Sequence, residues 1–291
     1  MNMRRSCAPV LLLGVLGLSS LLSVNAFSSS GHAIVHKSLL QRPAWKSTRS
    51  IPLRHKEQRR QLTLVHASFQ EEDPLYDSRT TATLLGGQSL LIVCAAVVAL
   101  ILGTPNFGLG SGISFDEEAL TQGALYAIPL FVVAFLLDTV EDRFPALQDV
   151  TKATQRSVIA LLGGTFKPIL ALATSVTLGL IAGFGEEMLF RGVLQYELAI
   201  RFGNILAVGA SSLVFGAVHA VTPLYALLAT LASIYFGLLY QGYDNLAVSI
   251  STHTVYDIGA LLWAHWTVTQ MNAKEQEELV NWSGPKRKGD V

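Results

Sequence analysis

Charge is scarce in this chain. Lys, Arg, Asp and Glu make up 14% of the 291 residues, while 51% are hydrophobic and the mean hydropathy is +0.43. Soluble domains carry about 25% charged residues, so the deficit excludes an ordinary soluble fold and points to a protein of the bilayer. The formal net charge is zero, which excludes a nucleic-acid partner held by an overall positive field. Cysteine is nearly absent: Cys7 falls in the leader and Cys94 in an apolar run, so there is neither a disulfide framework nor a cysteine-rich metal site. Two hydrolase signatures are missing as well. No His-Glu-x-x-His is present, so a zincin is unsupported, and no Gly-x-Ser-x-Gly marks a nucleophile elbow. No repeat of solenoid type is visible.

Acid is missing from one long stretch. Phe27 to Lys56 holds no Asp or Glu but carries Lys37, Arg42, Lys46, Arg49, Arg54 and Lys56 among many serines. Before it, Arg4 and Arg5 precede an apolar segment, Ala8 to Leu22, and then Val24-Asn25-Ala26. A basic start, a short apolar core and small residues at the cut describe a signal peptide over 1–26, and an acid-poor, Ser- and Arg-bearing segment over 27–67 reads as a transit peptide. Together they resemble the bipartite presequence of algae with complex plastids, which implies a plastid membrane. The alternatives are a retained signal anchor, a basic arm lying on anionic lipid, or residence in the endoplasmic reticulum. Residues 68–83 read as a polar lead-in.

From there long charge-free runs set the architecture. Leu84–Leu102, Ala119–Leu137, Pro168–Gly185, Pro223–Tyr243 and, apart from His253, Asp257 and His265, Leu246–Trp266 are each close to the length of a bilayer-spanning helix, and Asn204–His219 is a shorter sixth. The expected fold is an all-α polytopic membrane bundle of about six transmembrane helices over 84–267. Asp116, Glu117 and Glu118 suit the first turn of the second helix, where the dipole favours negative charge. Residues 138–163 read as an amphipathic connector at the interface, and 268–291 as a polar, structureless tail. Gly179 and Gly183 form a small-x-x-x-small pair that lets two helices approach closely.

The chemistry sits where polar residues interrupt these runs. Pro168–Gly185 ends abruptly in Glu186, Glu187 and Arg191. On a helix Glu187 and Arg191 are i,i+4 neighbours, whereas Glu186 points about 100° away. One glutamate can therefore be paired while the other faces a cavity as a base. The plainer reading is solvated charge at a helix end. Phe215 and His219 are i,i+4, as are His253 and Asp257. A lone buried His is more often a hydrogen-bonded packing residue. In the second pair the carboxylate can fix the imidazole tautomer, or the two can simply hide each other from lipid. Ionisable residues at bilayer depth cost about 2.5–3.5 kcal/mol each on insertion scales, so several together argue for a site. Glu186 could then take a proton from water, with His219 holding that water. His253 and Asp257 would stabilise an oxyanion, or Glu186, His219, His253 and Asp257 could hold a divalent metal such as zinc, with an open position for water.

In chain order, Glu-Glu-x-x-x-Arg, Phe-x-x-x-His and His-x-x-x-Asp resemble the motifs of the CAAX prenyl endopeptidase type II family, the CPBP or Abi group of intramembrane proteases. The resemblance covers roughly Pro168 to Trp266. It implies a membrane endopeptidase acting on a protein or peptide substrate. It ties Glu186, His219 and His253 to cleavage, with Asp257 at the family's last motif position and Glu187, Arg191 and Phe215 in support. That last position takes Asn or Asp; Asp257, with the presequence, looks more like the bacterial and plastid branch than the eukaryotic members that cut prenylated proteins in the endoplasmic reticulum. Two other readings stand beside it: a non-proteolytic membrane scaffold of the same fold, and a proton-coupled transporter, which the lack of an evident inverted repeat weakens. Nothing in the sequence sets the oligomeric state.

Overall fold

A computed structural model of the protein describes residues 73–285. The signal-peptide and transit-peptide readings, and residues 286–291, lie outside the described residues. Within them the chain forms eight helices and no strand. These are α1 (Ser78–Leu102), α2 (Glu117–Val140), α3 (Pro145–Leu162), α4 (Pro168–Phe202), α5 (Asn204–Val218), α6 (Pro223–Tyr243), α7 (Leu246–Thr269) and α8 (Ala273–Val280). The protein is an all-α membrane bundle.

Helix starts follow local chemistry. Asp77, Asp116, Thr222 and Asn245 each cap a helix by accepting a backbone N–H with the side chain. Pro145, Pro168 and Pro223 stand in first turns, where a missing N–H costs nothing. Asp77 starts α1 at Ser78, so part of the stretch read as a polar lead-in is helical.

Four helical stretches, Ser78–Leu102, Glu117–Arg143, Pro168–Phe202 and Pro223–Tyr243, are long and apolar enough to cross a membrane. Of the other two expected spans, α5 is apolar but short, and α7 carries polar side chains within an otherwise apolar sequence. Burial explains α7. It packs against α4, α2, α3 and α6 and is buried around most of its circumference, so its polar side chains meet protein instead of lipid. The lipid-facing belt comes from the other helices, through residues such as Leu90, Leu100, Phe135, Ile169, Leu213 and Leu231.

Gly179 and Gly183 pack on α7 as their spacing predicts. A Cβ on Gly183 would collide with the Thr254 side chain and stand 3.0 Å from its backbone nitrogen. That close approach puts the middle of α4 against the first half of α7. Past Glu187, α4 does not end as the apolar run suggests. It passes into a π-helical stretch, Met188–Gln195, where the Tyr196 N–H donates to the Arg191 carbonyl five residues back, and then runs on to Phe202. Gly192 in this stretch abuts the backbone carbonyl of Gly108, so the α1–α2 loop folds down onto it and any side chain there would clash.

Residues 145–162 form the amphipathic helix expected of the connector, with Leu147, Val150, Val158 and Ile159 buried. The polar tail is a correction. Asn272 and Glu275 form a capping box that starts α8, and Leu279 packs against Ile159 and Val268. Gln276 donates to the Gly164 and Val268 carbonyls at 2.9 and 3.0 Å, and Arg156 to the Val280 carbonyl at 3.1 Å, so the helix docks on the bundle. At the other end, the Asp73 carboxylate accepts the backbone N–H and hydroxyl of Thr165 at 3.0 and 2.8 Å and pairs with Lys167 at 3.4 Å. This ties the chain entering α1 to the α3–α4 loop.

Candidate active site

Three helices and one helix end meet around Glu186. The carboxylate is fully buried. Its Oε1 accepts from the Gln88 amide of α1 at 2.9 Å. Its Oε2 stands 3.6 Å from Nε2 of His219, at the end of α5, and 4.0 Å from Nε2 of His253 on α7. Asp257, one turn further along α7, brings Oδ2 within 3.5 Å of His253 Nε2.

Glu187 does different work. Its Oε1 accepts from Arg191 Nη1 and from His253 Nδ1, both at 2.9 Å. Arg191 is fully buried, donates through Nη2 to the Ser233 carbonyl at 3.0 Å and hydroxyl at 2.8 Å, and lies 4.9 and 5.3 Å from the ring centroids of Phe215 and Phe236. Each phenylalanine also stacks on a histidine, Phe215 on His219 at 4.1 Å and Phe236 on His253 at 4.7 Å. Both imidazoles are thus fixed in plane by an aromatic face and in rotation by a hydrogen bond.

Those hydrogen bonds set the tautomers. The His219 Nδ1–H donates to the Phe215 carbonyl at 2.7 Å, and the His253 Nδ1–H donates to Glu187. Each histidine then turns Nε2 toward Glu186. The i,i+4 spacing suggested Asp257 as the group fixing His253. The structure gives that role to Glu187, because the Asp257 oxygens form no hydrogen bond and face Nε2 instead.

All seven residues singled out in the sequence therefore come together: Glu186, His219, His253 and Asp257 around one space, with Glu187, Arg191 and Phe215 behind them. Three more participants carried weaker signals. Gln88 stands out only as an amide in a charge-free run, and Ser233 and Phe236 look like ordinary membrane-helix residues.

Glu186 Oε2, His253 Nε2 and both Asp257 oxygens are buried without a hydrogen-bond partner. At 3.6 and 4.0 Å, the nitrogens of His219 and His253 are too far from the Glu186 oxygen to bond it directly. A shared water would bridge them, as would a divalent ion held by the two imidazoles and two carboxylates. No step below runs through a metal.

The family model described as type II CAAX prenyl endopeptidase Rce1-like matches residues 168–259. The matched segment contains every motif residue and the helices that carry them, from the first turn of α4 to the middle of α7. The chain is also similar to a Bacillus subtilis (strain 168) protein, uncharacterized protein YpbD, with 34% identity over 85 residues. The match covers 28% of this chain and 41% of that relative. No solved structure matches the chain.

Proposed function

We propose that this protein is an intramembrane endopeptidase in which Glu186 activates a water molecule. One observation carries the reading: unpartnered acceptors on α4 and α7, Glu186 Oε2 and His253 Nε2, face each other at 4.0 Å, and His219 Nε2 at the end of α5 lies 3.6 Å from the Glu186 oxygen. Water is the small donor that satisfies such a set, given two to four polar partners.

The chemistry follows from the atoms present. A water between Glu186 Oε2 and His219 Nε2 gives one proton to the carboxylate as its oxygen adds to the peptide carbonyl carbon. The other proton is held by His219, whose lone pair is presented by the Nδ1–H bond to Phe215. His253 faces the carbonyl oxygen, and when Nε2 carries a proton, with Glu187 on Nδ1 and Asp257 beside it, it donates to the developing oxyanion. The C–N bond then breaks and the Glu186 carboxyl returns its proton to the leaving nitrogen. Carboxylate, water and product amine balance without another reactant. Gln88 holds the other Glu186 oxygen and so aims Oε2 at the water.

The substrate class is a protein or peptide whose scissile bond enters the bilayer. The acid-poor, basic stretch from Phe27 to Lys56 supports delivery to a plastid membrane, which imaging of a tagged full chain tests. For the activity, the purified protein in lipid nanodiscs is given prenylated CAAX peptides and unprenylated apolar peptides, with and without a divalent-ion chelator. Glu186→Gln is expected to lower kcat by about 10²–10⁴, and the chelator to leave it unchanged. Equal rates for Glu186→Gln and the parent protein would refute the peptidase reading. Loss on chelation with recovery on added zinc would replace the water by a metal-bound one.

A further inference from the structure

The water-activating set is rich in acceptors and poor in donors. Glu186 Oε2, Asp257 Oδ1 and Oδ2 and His253 Nε2 accept. Only a change of protonation at His253 or Asp257 turns either into a donor. Hydrolysis nevertheless builds negative charge on the carbonyl oxygen, and that charge calls for a donor already in place.

Tyr225 holds one. It lies in the first turn of α6, where its backbone N–H donates to the Thr222 hydroxyl at 3.1 Å, so its position is set by a cap. The ring is 1% exposed and packs in the apolar cluster with Phe190, Phe215, Phe236 and Tyr256. Its hydroxyl is buried and has no hydrogen-bond partner. Two rings of that cluster, Phe215 and Phe236, are the ones that stack on His219 and His253, so Tyr225 borders the site. Buried tyrosine hydroxyls ordinarily find a partner, and an orphaned one in a native interior calls for an explanation. The aromatic cluster alone has no use for it, because a phenylalanine would fill the same volume.

We infer that Tyr225 is a further catalytic residue, its phenolic O–H donating to the carbonyl oxygen of the scissile bond as that oxygen becomes an oxyanion. This rests on the peptidase reading and deepens it. The phenol gives a hydrogen bond without transferring its proton, so the proton path through Glu186 is unchanged. The position also explains the partnerless hydroxyl: its partner is the substrate.

Tyr225→Phe removes the hydroxyl and keeps the ring. Assayed beside Glu186→Gln and the parent protein, it is expected to lower kcat by about 10²–10³, the usual loss for one oxyanion donor, with KM nearly constant and thermal stability retained. If Glu186→Gln is slow while Tyr225→Phe turns over within about twofold of the parent, the inference fails and the peptidase reading stands. If Glu186→Gln is also unaffected, both fail. Should Tyr225→Phe not yield folded protein, Tyr225→3-fluorotyrosine preserves the packing and makes the phenol more acidic. The alkaline limb of its kcat profile is then expected to move to lower pH, and an unmoved limb would overturn the inference.

Discussion

Glu186 and Glu187 are neighbours in sequence and differ in every partner. One helical step of about 100° separates them, enough to send Glu187 to Arg191 and His253 and Glu186 to Gln88 and the open face of the site. The Glu187–Arg191 pair was legible because i,i+4 spacing is a property of a single helix. The partner of His253 was not, since Glu187 lies 66 residues away in the chain and spacing says nothing about contacts between helices. Asp257, the carboxylate one turn away, was the plausible substitute. The geometry separates the two: Glu187→Gln keeps an acceptor for Nδ1 but removes the charge that supports a proton on His253. It is expected to lower kcat by about 10–100-fold, as second-layer substitutions behind histidines do, with KM little changed. A kcat equal to that of the parent protein would show that Asp257 alone sustains His253.

Among the elements, α4 and α7 make the site. Their close contact depends on Gly183, where an added methyl would meet Thr254. Gly183→Ala is expected to destabilise the protein by about 1–3 kcal/mol, the cost of overpacking a filled contact, and to reduce activity by moving Glu186 away from His253. Gly86 on α1 is the internal comparison, because nothing lies within 4 Å of an added Cβ there. Gly86→Ala is expected to stabilise by about 1 kcal/mol through helix propensity alone. Thermal unfolding in detergent checks both, and equal effects would contradict the packing described. The long apolar runs declared their helices, and the small-residue spacing declared a close-packed face. The π-helical stretch left no trace in composition, because it reflects how Gly192 fits against Gly108. Helix α8 was hidden for the opposite reason: a charged surface conceals the few contacts that dock it, Leu279 in an apolar cluster and Gln276 on two carbonyls.

At the scale of the whole molecule, the bundle turns apolar side chains outward and gathers polar ones along its central helix. The polar side chains of α7 are tolerated because that helix is buried by protein and needs little apolar surface of its own. The entering chain is held to the bundle at Asp73. Burial acts to raise the Asp73 pKa, but hydrogen bonds from the Thr165 hydroxyl and from the Leu75, Gly164 and Thr165 N–H groups outweigh it, leaving the carboxyl below its ordinary value of 3.8. A carboxyl with a lowered folded-state pKa contributes stability that is complete above the unfolded value and lost as pH falls through the folded one. Asp73→Asn is thus expected to melt below the parent protein at neutral pH, with the gap closing as pH drops below about 4. A gap independent of pH would place the contribution of Asp73 elsewhere.

The central claim is that buried acceptors from separate helices share one water. A density map of the purified protein in nanodiscs, at a resolution that shows ordered solvent, tests it directly. The expected result is a peak within about 3 Å of both Glu186 Oε2 and His219 Nε2, at hydrogen-bonding distance. Glu186 turned away from both histidines, or a dry gap between them, would contradict it.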